Sequence, residues 1–261
     1  MIKLITSDID GTLVPDGRND INPEIYDVIL KLRSKGIQFA AASGRQWASI
    51  ESIFEPVKEK VFYLSDNGAY VGCHGRNLFL NPIKRQTVLD MIADVREMEG
   101  LELMVSGPNV VYLETQDEEI INWLVNGYKF RVSAVPDLTQ VDSEFIKISV
   151  YRKTDVEIHT RSLQEKYKDR LKITIAGNMW MDCMKPGINK GQAVKLLQEG
   201  LGIKPEETMA FGDQLNDVEM LKQAYYSFAV GNARKEVKAA ARFQTDTNQN
   251  DGVLKILKLL L

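Results

Sequence analysis

The chain has 261 residues, of which 44% are hydrophobic and 26% charged, with a formal net charge of -3. That is enough chain for one large domain or two small ones, and the charge balance argues against a nucleic-acid partner, which requires a basic face. Cys73 and Cys183 lie far apart and form no CxxC pair, which points to a reduced, cytoplasmic setting and away from a disulfide framework.

The first element is "KLIT", a short buried strand that runs into "LITSDIDGTLV" at residues 4–14. Asp8 and Asp10 break the apolar run before the core of a signal peptide could form. No later window has the ~18 unbroken apolar residues of a membrane span. In "NPEIYDVILKLRSKG", Ile25, Val28, Ile29 and Leu32 recur at helical spacing; Asn22 suits the N-cap, Pro23 the first turn and Gly36 the stop. "IQFAAA" (37–42) is predicted to be a second strand ending at Ser43-Gly44-Arg45, and "VFYLS" (61–65) a third ending at Asp66-Asn67-Gly68.

The middle of the chain changes grammar. Strand-like runs come in neighbouring pairs: "LELMVS" with "VVYLE", "FRVSAV" with "FIKISVY", and "ITIAG" with "WMDCM". Between them lie helical patterns such as Val88, Met91, Ile92 and Val95. Short connections between neighbouring strands imply antiparallel pairing. Strand and helix then alternate again: "NKGQAVKLLQEGLG" (189–202) as helix, "TMAFG" (208–212) as strand, "DVEMLKQA" as helix, "YSFAV" (226–230) as strand, and "ARKEVKAAA" and "GVLKILKLL" as helices. The last is an amphipathic helix expected to pack on the body. The predicted fold is α/β: a Rossmann-like parallel-sheet core from residues 1–81 and 185–261, split by an inserted α+β domain at 82–184, with Pro82 and Pro186 near the edges.

In an open parallel sheet, ligands bind beyond the carboxyl ends of the strands. There the sequence places Asp8 and Asp10, Ser43, and Asp213 and Asp217, with Lys190 arriving at a helix start. Taken singly, each has an ordinary reading as a turn, a cap or a solvated lysine. An EF-hand fails, because Leu13 and Asn19 stand where glycine and glutamate are needed. Together, clustered carboxylates repel unless a cation neutralises them, and oxygen-only ligands suit Mg²⁺. Such a site beside a lysine and a hydroxyl suits phosphoryl transfer, which is mostly positioning and charge neutralisation. A carboxylate nucleophile would split the reaction through an aspartyl-phosphate. The two-residue spacing is expected to put the side chains of Asp8 and Asp10 on one side of the extended strand end.

The set resembles the haloacid dehalogenase superfamily, in particular its Cof-type phosphatases with a large α/β cap. "DIDGTL", "SGR", Lys190 in "GINKG", and "GDQLNDVEML" resemble its four motifs in order, and "DNGA", "AVGNA" and "TNQNDGV" resemble further signatures. Gln214 and Val230 depart from the usual residues, at positions that are not catalytic in the family. The resemblance implies Asp8 as nucleophile and Asp10 as general acid and base. It also implies Ser43, Gly44, Lys190 and Asn216 around the phosphate, and Asp8, the Asp10 carbonyl, Asp213 and Asp217 around Mg²⁺. The implied function is hydrolysis of a small phosphomonoester such as a sugar phosphate, by a monomer or dimer with no nucleic-acid or membrane partner. A phosphomutase, a receiver-like phospho-acceptor and a non-catalytic phosphate-binding protein are the alternatives. In the insert, Asn178, Trp180 and Asp182 are candidates for substrate contact, Trp180 more as packing. His74 and His159 lack metal-ligand spacing.

Overall fold

The computed structural model describes residues 1–15 and 20–261; Asn19, invoked above against an EF-hand, lies outside them. In chain order the strands are β1 (Leu4–Asp8), β2 (Gln38–Ala42), β3 (Val61–Ser65), β4 (Tyr70–Cys73), β5 (Arg76–Leu80), β6 (Glu102–Ser106), β7 (Val111–Leu113), β8 (Val132–Ala134), β9 (Lys147–Tyr151), β10 (Lys172–Ala176), β11 (Trp180–Met184), β12 (Thr208–Gly212), β13 (Tyr226–Ala229) and β14 (Phe243–Gln244). The helices are α1 (Glu24–Ser34), α2 (Trp47–Ile53), α3 (Arg85–Arg96), α4 (Glu118–Asn122), α5 (Val156–His159), α6 (Arg161–Tyr167), α7 (Lys190–Leu201), α8 (Val218–Lys222), α9 (Lys235–Ala240) and α10 (Gly252–Lys258). The chain divides into two compact units, Met1–Phe79 with Asn189–Leu261, and Leu80–Ile188. No helix among the described residues is long and apolar enough to cross a membrane.

In the first unit the sheet order is β14-β13-β12-β1-β2-β3-β4-β5. Pairing is parallel from β14 through β3, and β3 with β4 is antiparallel. Every residue of β1, β3 and β12 is buried, as a sheet covered on both faces requires. Strand order runs outward in opposite directions from the neighbours β1 and β12, which makes their carboxyl ends the topological switch point. α1 buries the predicted Ile25, Val28, Ile29 and Leu32, and the Asn22 side chain accepts the Glu24 N–H at 3.0 Å. α7 is capped by Asn189, whose Oδ1 accepts the Gln192 N–H at 2.8 Å. α10 buries Val253, Leu254 and Leu257, as its amphipathic pattern predicts.

The second unit has the sheet order β10-β11-β9-β6-β7-β8. The predicted pairs β6 with β7 and β10 with β11 form and are antiparallel. The third predicted pair does not form. β8 pairs in parallel with β7, while β9 lies between β6 and β11. One face of this sheet carries Val105, Ile148, Val150, Met181 and Cys183 into a core with Val88, Met91, Ile92 and Val95 of α3. The other carries Met104 and Tyr151 with Trp180 packed against them. There Trp180 stacks on Trp123, with centroids 5.7 Å apart, and tilts against Tyr151 at 4.9 Å, so its role is packing. Trp123 opens a single π-helical turn, Trp123–Gly127, that extends α4. Both cysteines are free. Burial pushes the Cys183 thiol up to about 12, which makes it inert.

Candidate active site

Asp8 is the last residue of β1 and Asp213 follows β12, so the two central strands deliver both carboxylates to one end of the sheet. Asp217 joins them from the turn Leu215–Asp217 that opens α8. One oxygen of each of Asp8, Asp213 and Asp217 lies within 4.8 Å of the others, and all three residues are buried. Lys190, at the first position of α7, reaches into the same place: its Nζ donates to Asp8 Oδ1 at 2.5 Å and to Asp217 Oδ1 at 2.6 Å. The lysine is only 1% exposed.

The electrostatics follow from that enclosure. Burial raises the Asp8 carboxyl well above its ordinary value, and Asp217 and Asp213 add to the rise, while Lys190 opposes it. Burial alone would lower the Lys190 ammonium, but Asp217 and Asp8 outweigh it and hold the amine charged. Three carboxylates against one ammonium leave a balance of minus two. The cluster therefore has room, in charge and in ligand chemistry, for a divalent cation that prefers oxygen.

Each acid is held by its own bracket. Asp217 Oδ2 accepts the backbone N–H groups of Asp213 (3.0 Å) and Gln214 (2.9 Å). Asp213 Oδ1 accepts the Thr12 hydroxyl at 2.7 Å. Gly11 sits against that carboxylate at φ +81°, and a Cβ there would run into it, so this position must be glycine. The turn carrying Gly11 is strapped from the far end of the chain. Asn232 Nδ2 donates to the Gly11 carbonyl (2.7 Å), Asn232 Oδ1 accepts the Asn248 N–H (3.0 Å), and Asn248 Nδ2 donates to the Val14 carbonyl (3.3 Å).

Asp10 stands apart from this cluster. β1 ends at Asp8, and Asp10 takes part in an isolated bridge with Val14. It lies past the end of the strand, so strand alternation does not by itself set its side-chain direction. The Asp10 carboxylate is forked by Arg45, whose Nε donates to Oδ2 at 2.8 Å and Nη2 to Oδ1 at 2.5 Å. Ser43 is buried after β2, and its Oγ accepts the Arg45 N–H at 3.1 Å. Gly44 lies beside the Asn67 side chain, and Asn216 Nδ2 donates to Asn67 Oδ1 at 3.0 Å.

Of the residues singled out from sequence, Asp8, Lys190, Asp213 and Asp217 thus meet directly, Asp10 is paired with Arg45, and Ser43, Gly44 and Asn216 are linked through Arg45 and Asn67. The reading from sequence gave no role to Thr12, Arg45, Asn67, Asn232 or Asn248. All five stand in motifs quoted for the resemblance, so the signal was present without the geometry. In the second unit, Asn178 Oδ1 accepts the Asp155 N–H at 3.1 Å, and Asp182 accepts the Ser149 hydroxyl at 2.7 Å. His74 faces Glu59 at 3.4 Å, away from any metal grouping among the described residues.

A sequence profile of haloacid dehalogenase-like hydrolases matches residues 5–257. The chain is similar to the 5-amino-6-(5-phospho-D-ribitylamino)uracil phosphatase YbjI of Escherichia coli, at 27% identity over 100% of this chain and 96% of that protein. It is 30% identical to the Bacillus subtilis protein of the same description, YcsE, over 98% of this chain and 95% of that one. A crystal structure from Eubacterium rectale is 35% identical and superposes with a TM-score of 0.94, covering 100% of this chain and 99% of the other.

Proposed function

The chain belongs to the haloacid dehalogenase-like hydrolase family and is a phosphatase, and from that premise we propose that it hydrolyses a small phosphorylated metabolite in the cytoplasm through an aspartyl-phosphate on Asp8, with Mg²⁺. The observation that carries this reading is the buried Lys190 ammonium bridging Asp8 and Asp217 beside Asp213. A lysine so placed offsets charge on an attacking carboxylate and on the phosphoryl oxygens it approaches.

Lys190 occupies Asp8 Oδ1, which leaves Oδ2 as the attacking oxygen. Asp8 displaces the alcohol from phosphorus in line, and Asp10 protonates the departing oxygen. Water then attacks the phosphorus of the acyl phosphate, giving its proton to Asp10, and orthophosphate and free Asp8 result. Arg45 orients Asp10 for both steps. Ser43, the Gly44 backbone and Asn216 hold the phosphoryl oxygens. The buried, oxygen-only donor set fits Mg²⁺: Asp8, Asp213 and the Asp10 carbonyl would hold it, with Asp217 steadying the site directly or through water. When bound, the ion neutralises charge and polarises a phosphoryl oxygen.

The names of the two relatives make a polyol phosphate carried on a pyrimidine the first substrate to test. The unit Leu80–Ile188, read as the inserted cap, is where selection among phosphomonoesters is proposed to lie. The test is a panel of phosphorylated metabolites with Mg²⁺, scored by phosphate release, including 5-amino-6-(5-phospho-D-ribitylamino)uracil and p-nitrophenyl phosphate. Turnover that survives in Asp8→Asn, or full activity in EDTA, would sink the mechanism.

A further inference from the structure

Asp66, Asn67 and Gly68 follow one another after β3 at φ of 48°, 54° and 95°. Left-handed backbone is costly for residues that carry a Cβ, and it persists only where the surroundings over-determine it. The surroundings here are the phosphate-side loops of the proposed site. The Asp66 N–H donates to the Arg45 carbonyl and the Asn67 N–H to the Ser43 carbonyl, each at 2.9 Å. Gly68 lies against the carbonyl of Asn189, the residue before Lys190; a Cβ there would come within 2.5 Å of it.

The Asn67 side chain stands between the other two pieces. Its Oδ1 accepts from Asn216 Nδ2 at 3.0 Å. Its Nδ2 would be 3.2 Å from a Cβ added at Gly44 and has no hydrogen-bond partner among the described residues. Only a short amide both accepts on one side and donates on the other while tolerating a left-handed backbone. An aspartate in its place would accept twice and repel an anion.

Resting on the phosphatase reading, we propose that Asn67 is a further phosphate-binding residue: Nδ2 donates to a non-bridging oxygen of the transferring group, and Oδ1 fixes the direction of the Asn216 amide. The strained turn then holds a donor that neither neighbouring loop supplies.

Two variants separate this role from a structural one. Asn67→Gly keeps the left-handed backbone and removes the amide. Its thermal midpoint should stay level or rise, while kcat/KM on p-nitrophenyl phosphate falls about 10²-fold, the scale of one lost anion donor. Calorimetric titration with orthophosphate in Mg²⁺ should weaken about tenfold. Asn67→Asp keeps the acceptor for Asn216 and should weaken orthophosphate further than glycine does. Unchanged phosphate affinity in Asn67→Gly overturns the assignment, and so does a loss that comes with a matching fall in midpoint. If the wild type releases phosphate from no compound, the hydrolase mechanism fails instead, and the orthophosphate titrations still decide the role of Asn67.

Discussion

Asp8 carries an electrostatic penalty in the metal-free fold, and that has measurable consequences. An acid whose folded-state pKa is raised destabilises the fold wherever the unfolded chain would ionise it. The penalty is absent in strong acid and grows as pH rises above the unfolded value near ~3.9. Asp8→Asn should therefore abolish turnover and at the same time raise the melting midpoint of EDTA-treated protein at pH 8, with the gain vanishing near pH 3.5. Lys190→Met works in the opposite direction. It strips the partner from two buried carboxylates and should cost about 3–5 kcal/mol in urea unfolding without metal. An unchanged urea midpoint would show that the lysine is not the counter-ion it is taken to be. At this scale the sequence named the buried acids and the lysine correctly as neighbours, because strand ends and a helix start place them. It could not show that Arg45 takes Asp10, since that depends on how residues 9–14 turn after the strand has ended.

Among the elements, the strap from Asn232 and Asn248 to the turn after β1 makes the clearest prediction. Asn232→Ala leaves the Gly11 carbonyl and the Asn248 N–H without their partners. It should cost about 1–3 kcal/mol and lower kcat more than KM, since Gly11 abuts Asp213. Equal kcat in the variant and wild type would detach the strap from the site. The parallel strands and α1, α7 and α10 were legible because apolar runs and helical spacing mark elements that bury a face. Partnering was not. "FRVSAV" reads as a strand beside "FIKISVY", yet β8 is short and lies at the sheet edge on β7, and β9 goes to the centre. Alternation shows that a strand has a buried face and is silent about which strand lies next to it. β4, β5 and the two-residue β14 carry too little pattern to announce themselves.

In the whole molecule, the acid cluster belongs to one unit, and the tryptophans divide between the two. Trp47 lies in the first unit, and Trp123 and Trp180 in the second. In a protein carrying Trp123→Phe and Trp180→Phe, the fluorescence of Trp47 reports the first unit alone. Millimolar Mg²⁺ should raise that thermal midpoint, by an amount set by ligand concentration over affinity; no shift up to tens of millimolar would remove the metal from the site. The same unit is discontinuous, because Met1–Phe79 must await Asn189–Leu261, and β1 sits between β2 and β12. Asp8 and its lysine are 182 residues apart. At ~5–20 residues per second on the ribosome, roughly 10–40 s separate the emergence of Asp8 from that of Lys190. Through that interval β1 has no β12 on one edge, an apolar strand open to stray pairing. The acid cluster thus assembles only once residues 190–217 have followed, and until then the strand that carries Asp8 waits with one edge unpaired.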